Sequence, residues 1–117
     1  WRNLTKNLGN ETLIIGDDLT STNLERLNKA RSQKACNSII IKPNQAGTIS
    51  ETLSVVKAAK AANFKIVASH RSGETNDDFI ADFAVGIEAD YVKFGAPARG
   101  ERVAKYNRLL EIEHDLS

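Results

Sequence analysis

The chain has little of what builds a cross-linked, metal-clustered or membrane-spanning protein. Cys36 is the only cysteine among 117 residues, so an internal disulfide is impossible and we expect a reducing compartment. Without a second cysteine or a His-rich tract, metal binding through sulfur is not predicted. No apolar run approaches the length of a bilayer span and no secretory leader is recognisable, so we expect a cytoplasmic protein.

Neither sign of charge dominates. The 16 Lys and Arg residues nearly balance the 15 Asp and Glu residues, and the formal net charge is +1. Lys57, Lys60 and Lys65 are typical of a solvated helix and its exit, so no nucleic-acid partner is predicted. The length favours a single unit over residues 1–117. The start at Trp1 rather than at methionine suggests a cut or processed chain, or a start outside this sequence.

Apolar segments of two kinds alternate along the chain. After a first helical face with Trp1, Leu4 and Leu8, short β-branched runs predict strands at 12–15, 38–41, 65–68 and 91–95. Helical spacing predicts helices at about 24–34, 50–62, 77–85 and 101–114. In the second of these helices, one face is expected to carry Leu53, Val56, Ala59 and Ala62. In the third, the residues expected to pack inward are Phe79, Ile80, Phe83 and Ala84.

This alternation predicts an α/β fold of four consecutive βα units, with a parallel sheet and right-handed crossovers. A complete eightfold barrel needs about 250 residues. The length therefore fits half of a TIM-type barrel, or a small open α/β sheet.

Polar groups follow all four predicted strands, although buried strands exclude charge. They are Asp17 and Asp18, Lys42, the run His70-Arg71-Ser72, and Lys93. Because the carboxyl ends of parallel strands meet at one edge, where ligands bind, we expect a shared cleft for a small anion.

The residue types suggest distinct roles in such a cleft. The Asp17 carboxylate suits a hard divalent cation, and a partly desolvated Lys42 suits a base. Arg71, Ser72 and Lys93 suit a substrate with more than one negative charge. Each also has a structural alternative. Lys42 could be a surface lysine or an Asp partner, and Arg71 could form a salt bridge. His70 could be a structural hydrogen-bonding group, and Asp18 a loop cap.

Five motifs, in order and over nearly the whole chain, resemble enolase (phosphopyruvate hydratase). They are GDDLTSTN at 16–23, IKPNQAG at 41–47, SHRSGET at 69–75, KFGAP at 93–97 and ERVAKYNRLLEIE at 101–113. The SHRSGET run is highly specific. The resemblance implies the carboxyl-terminal half of the enolase barrel domain, and a lyase that interconverts 2-phosphoglycerate and phosphoenolpyruvate in glycolysis.

By the same resemblance, Asp17 matches a magnesium ligand and Lys42 the general base. His70 matches an active-site histidine, and Arg71 with Ser72 the phosphate-binding pair. Lys93 matches the lysine at the substrate carboxylate, with both a catalytic and a substrate-binding role. A lysine base working with Mg²⁺ is the established pattern of this superfamily.

The resemblance also implies that parts of an enolase are missing: the amino-terminal capping domain, the first barrel half, further Mg²⁺ ligands and the general acid. We therefore expect the isolated chain to be inactive. The alternative hypothesis is a non-catalytic half-barrel scaffold or self-assembling module. In either case, exposed strand edges would favour a homo-oligomer or pairing with the missing half.

Overall fold

The four predicted strands form one sheet in the order β1-β2-β3-β4, within a computed structural model that describes all 117 residues. The elements in chain order are α1 (Arg2–Leu8), β1 (Ile15–Gly16), α2 (Leu24–Ser32), β2 (Ser38–Ile41), α3 (Pro43–Ala46), α4 (Ile49–Ala61), β3 (Lys65–Ser69), α5 (Phe79–Gly86), β4 (Tyr91–Lys93) and α6 (Gly100–Leu116). This sequence of elements confirms the α/β class. The chain divides into two compact units, Trp1–Val67 and Ala68–Ser117.

In the first unit the core lies around β2, whose four residues are all buried. Ile39 and Ile41 are fully inaccessible, as expected for a β-branched run covered on both faces. Strand β1 pairs with β2 in parallel, with Ile15 opposite Ser38. Helix α4 contributes Val55, Val56 and Ala59 to the buried side.

Two side-chain caps set the starts of the long helices in this unit. The Asn23 side chain accepts a hydrogen bond from the Arg26 backbone N–H, and the Thr48 hydroxyl accepts one from the Glu51 backbone N–H. Each satisfies an amide that the first helical turn leaves without a partner. The caps therefore explain why α2 and α4 begin where they do.

A single amide side chain joins the segment before β1 to the start of β2. Asn37 Oδ1 accepts from the Ile14 N–H at 2.7 Å and from the Ser38 hydroxyl at 2.9 Å. Asn37 Nδ2 donates to the carbonyls of Gly9 and Thr12, both at 3.0 Å. All the hydrogen-bonding capacity of this amide is used, which fixes β1 against β2.

The second unit is built on the packing of α5 against α6. Ile80, Ala81, Phe83 and Ala84 form the buried side of α5. Arg108 of α6 donates to both carboxylate oxygens of Asp82 on α5, at 2.8 and 2.9 Å. After β4, Phe94 is fully buried and meets the Tyr106 ring of α6 edge-on, with centroids 5.9 Å apart.

Two predictions about the helices are wrong. Leu53 is 38% exposed, and α4 buries Thr52 and Val55 beside Val56 and Ala59. The predicted residues are spaced by three, and each step of three residues falls about 60° short of a full helical turn. The first and the last of them therefore lie on opposite sides of the helix. Phe79 is 47% exposed because the buried stripe of α5 is centred on Ile80, Ala81 and Ala84, which leaves Phe79 at its margin.

The strands also differ from expectation at both edges of the sheet. Strand β1 is only two residues long, and β4 has no buried residue, with Tyr91 51% exposed. Strand β4 comes last in the strand order, so no further strand covers it. The short helix α3 follows Lys42 directly. It begins with Pro43, a residue suited to a first helical position.

Candidate functional site

In the first unit, the ends of β1 and β2 bring Asp17 and Lys42 into direct contact. Lys42 Nζ lies 2.7 Å from Asp17 Oδ1, and the Lys42 side chain is only 13% exposed. The Asp-partner alternative raised for Lys42 is therefore what the structure shows. A charge-assisted hydrogen bond of this length holds both side chains in defined positions.

The backbone on both sides of this pair is also fixed. The Lys42 N–H donates to the hydroxyl of Thr22 at 2.9 Å, and that hydroxyl donates to Gln45 Oε1 at 2.8 Å. Thr22 is buried, so its hydrogen bonds are shielded from water. The carbonyl of Asp17 accepts from the Thr20 and Ser21 N–H groups in a tight turn. The two charged residues are thus carried on a rigid frame.

Asp18 lies apart from this pair. The residue is exposed, and its carbonyl accepts from the Ser21 hydroxyl at 2.8 Å. Its carboxylate forms no ion pair with the chain. The Asp18 side chain makes no capping hydrogen bond, and Asn23 caps α2 instead.

In the second unit, His70 is anchored to Lys93 through the Lys93 backbone. Both the His70 N–H and the ring atom Nδ1 contact the Lys93 carbonyl oxygen, at 3.1 and 2.6 Å. A carbonyl only accepts, so Nδ1 carries the proton in this contact and Nε2 remains for a ligand. The Lys93 side chain is exposed.

Arg71 and Ser72 follow in an exposed loop. The Arg71 backbone N–H donates to Glu74 Oε1 at 2.9 Å. Its guanidinium has no carboxylate partner in the chain, so the salt bridge considered as an alternative is not formed. The loop turns at Gly73, which has a φ of +77°. Arg71 therefore presents a free cationic fork beside a hydroxyl, a combination suited to phosphate.

Behind this loop lies a buried lysine that sequence reasoning missed. Lys105 is fully inaccessible, and its ammonium lies 3.1 Å from Glu74 Oε2. It also donates to the carbonyls of Thr75 and Glu101 at 3.1 and 2.6 Å. The three donors of the ammonium thus have three acceptors, as a buried charge requires.

The electrostatics of Glu74 follow from these contacts. Partial burial by itself would raise the pKa of the Glu74 carboxyl. The Arg71 N–H and the Lys105 ammonium outweigh that effect, with a smaller contribution from His70, and hold the pKa below its usual value. Glu74 is therefore a carboxylate at neutral pH, and its two oxygens connect the Arg71 backbone to helix α6.

Helix α6 holds the loop after β4 as well. The Tyr106 hydroxyl donates to the carbonyl of Gly95. Gly95 has a φ of +79°, and a Cβ there would lie 2.6 Å from Arg102 Cδ. Adjacent positions on α6, Lys105 and Tyr106, therefore secure the loops that follow β3 and β4.

The chain offers only part of a metal site. No group of three or more His, Cys, Asp or Glu side chains is arranged to hold an ion. The Asp17 carboxylate offers the oxygen ligands that Mg²⁺ prefers, but its Oδ1 atom is hydrogen-bonded to the Lys42 ammonium. The residues of this chain do not by themselves form a magnesium site.

The whole chain, residues 1–117, matches the family model described as "Enolase, C-terminal TIM barrel domain". This chain belongs to the enolase family. The enolase of Sulfurisphaera tokodaii is 56% identical over 105 residues, which cover 90% of this chain and 25% of that protein. The enolase of Helicobacter pylori strain HPAG1 is 54% identical over 116 residues, 99% of this chain and 27% of that protein.

The match confirms the resemblance inferred from the five motifs and the assignment to part of a TIM barrel. The chain spans about a quarter of the length of the curated relatives it matches. No helix has both the length and the apolar character needed to cross a bilayer.

Proposed function

We propose that this chain is the carboxyl-terminal (βα)4 portion of an enolase, a carbon–oxygen lyase that reversibly dehydrates 2-phosphoglycerate to phosphoenolpyruvate. The observation that carries the proposal is the Asp17–Lys42 pair at successive strand ends, in a chain that matches the enolase barrel model throughout. The relatives named above are enolases, and their identity to this chain exceeds half of the aligned residues.

In this proposal Lys42 is the general base. The C–H bond next to the substrate carboxylate breaks, and its proton moves to the Lys42 amine. The hydroxyl then leaves the neighbouring carbon as water, with a proton from an acid outside this chain. The position of Lys42 supports the role, because its half-buried side chain follows β2 directly and is held in a defined place by Asp17.

The second unit supplies the substrate-binding groups. Arg71 and Ser72 bind the phosphate, and the Lys93 ammonium contacts the substrate carboxylate. The unpaired guanidinium of Arg71 and the exposed Lys93 side chain leave both cations available to an anion. His70 presents Nε2 to the substrate, because its Nδ1 is held by the Lys93 carbonyl.

We propose Mg²⁺ as the cofactor, with Asp17 as the one ligand that this chain provides. When bound, the cation would supply positive charge that stabilises the carbanionic charge developed on proton removal. Its remaining ligands would come from the rest of the polypeptide. The isolated chain is therefore expected to be inactive.

We further propose a cytoplasmic location, which the single buried Cys36 fits.

The expected partners are the small-molecule substrate and either a second copy or the remaining part of the barrel. The exposed edge strand β4 supports such pairing. Elution of the chain as a folded monomer in size-exclusion chromatography would argue against it.

The test is to insert this chain into the Helicobacter pylori enolase in place of its matching segment of 116 residues. With Mg²⁺ and 2-phosphoglycerate, this chimera should form phosphoenolpyruvate, whereas the 117-residue chain alone should not. A folded but inactive chimera contradicts the proposed function. Robust activity of the isolated chain contradicts the proposed dependence on other segments.

A further inference from the structure

The ion pair between Lys105 and Glu74 has a feature that stability alone does not require. The loop that carries Arg71 and Ser72 is exposed, yet it is attached to a fully buried ammonium on α6. A buried ion pair is costly to desolvate and contributes little net stability compared with a well-packed apolar pair. Its specific contribution is geometric, because each partner has a fixed set of acceptors or donors.

The contacts form a continuous connection from α6 to the loop backbone. Lys105 Nζ contacts Glu74 Oε2 at 3.1 Å, and the other oxygen, Oε1, accepts the Arg71 N–H at 2.9 Å. The same ammonium donates to the Thr75 carbonyl at 3.1 Å. The loop is therefore held at Arg71 and at Thr75, with Ser72 and Gly73 between these attachments and Glu74 making the bridge.

The flexible residue in this loop makes the attachments necessary. Gly73 has a φ of +77°, and a Cβ at this position would meet nothing within 4 Å. Packing therefore does not hold the turn, and a glycine has more accessible conformations than any other residue. Without the Glu74 bridge, the loop would lose its connection to the helix at Arg71.

We propose that Lys105 is a positioning residue that acts through Glu74 to hold the Arg71 and Ser72 loop in the conformation that binds the substrate phosphate. This inference rests on the proposed function, because it takes phosphate as the ligand of the loop. Lys105 does not touch the substrate in this scheme. It reduces the ordering that the loop would otherwise undergo on binding, and so strengthens the binding.

The variant Lys105→Met removes the ammonium but keeps an unbranched side chain of similar length. The matched control is Arg108→Gln, one turn further along α6, which removes an ion pair to Asp82 without touching the loop. In the chimera, Lys105→Met should raise KM for 2-phosphoglycerate by about tenfold, the usual range for loss of a charged supporting hydrogen bond. A purely structural role would lower the amount of active protein and leave KM unchanged.

Amide hydrogen exchange in the 117-residue chain provides the second measurement. Lys105→Met should speed exchange of the Arg71 amide by about tenfold or more, the equivalent of one lost charged hydrogen bond. Arg108→Gln should leave that amide unchanged. The double variant with Glu74→Gln should exchange no faster than Lys105→Met alone, because both changes break the same connection.

The outcomes separate the two proposals. An inactive parent chimera contradicts the proposed function, and Arg71 exchange then decides the role of Lys105. An active parent with the same KM for Lys105→Met and Arg108→Gln overturns the positioning role. Equal exchange rates of the Arg71 amide in the parent and in Lys105→Met overturn the positioning role as well. If Lys105→Met does not fold, Glu74→Gln replaces it in both measurements, and the same results are expected.

Discussion

The Lys42 ammonium lies 2.7 Å from the Asp17 carboxylate, so a base candidate and a metal-ligand candidate neutralise one another in this structure. The two residues are 25 positions apart in sequence and meet because β1 and β2 pair in parallel and each ends just before its charged residue. This pair is the part of the proposed chemistry that the chain builds most completely.

Asp17→Asn should destabilise the chain, because it leaves the Lys42 ammonium partly buried beside a neutral amide. We expect a loss of about 1–2 kcal/mol in the free energy of unfolding, between the values typical of exposed and buried ion pairs. Urea denaturation followed by circular dichroism measures this. The matched control is Asp18→Asn, which removes the neighbouring exposed carboxylate and should have almost no effect. Equal losses for the two variants would show that the contact contributes nothing.

The Glu74 carboxylate should make stability depend on pH in acid. Its pKa in the folded state lies below that of the unfolded chain. Its stabilisation is therefore complete above the unfolded pKa of about 4.3 and is lost as the pH falls through the folded pKa. Unfolding free energies measured from neutral pH downward should fall more steeply in the parent than in Glu74→Gln. The pKa of Asp82 is also lowered, chiefly by its hydrogen bond from Arg108. The variant Asp82→Asn therefore measures how much of the pH dependence of stability comes from Asp82. Parallel curves for the parent and Glu74→Gln would contradict the prediction.

Gly73 and Gly95 form a natural pair for testing the loops of the second unit. Both have positive φ angles, and alanine at either position should cost about 1–2 kcal/mol from backbone strain. Only at Gly95 would the added Cβ also approach Arg102 Cδ, at 2.6 Å, so Gly95→Ala should cost at least as much as Gly73→Ala. Thermal unfolding of the two variants tests the order. A clearly larger loss for Gly73→Ala would contradict it.

The hydrogen bonds of the Asn37 side chain should contribute substantially to the free energy of unfolding. Asn37→Ala removes four hydrogen bonds and leaves the Ile14 N–H without its side-chain acceptor. We expect a loss of about 1–3 kcal/mol, the usual penalty for an unpaired buried polar group. Asn10→Ala changes an exposed amide nearby and serves as the control in urea denaturation. A stability equal to that of the control would show that water replaces these bonds at no cost.

The strand ends could be predicted from the sequence because two local signals coincide there. At Ser38–Ile41 a β-branched run stops at Lys42, and at Lys65–Ser69 a similar run stops at His70. Both the burial and the abrupt polar end are visible without knowledge of any partner. The alternation of strands with helices then supplied the fold class.

The supporting contacts could not be predicted in the same way. Lys105 lies in a helix with charged residues on several sides, and spacing alone treats it as solvated. Its burial depends on Glu74 and Thr75, 31 and 30 residues earlier in the chain. The exposure of Tyr91 likewise depends on the position of β4 in the strand order, which local sequence does not reveal. Leu53 is exposed because the buried stripe of α4 advances in steps of three and four residues, through Thr52, Val55, Val56 and Ala59.

The central claim is that Lys42 removes a proton from carbon next to a carboxylate. In heavy water, the chimera should exchange the carbon-bound hydrogen of 2-phosphoglycerate with solvent, observed by proton NMR. Lys42→Met should slow this exchange by about 10³-fold, as expected for loss of a general base, while Arg108→Gln leaves it unchanged. Exchange at the parent rate in a folded Lys42→Met variant would contradict the account.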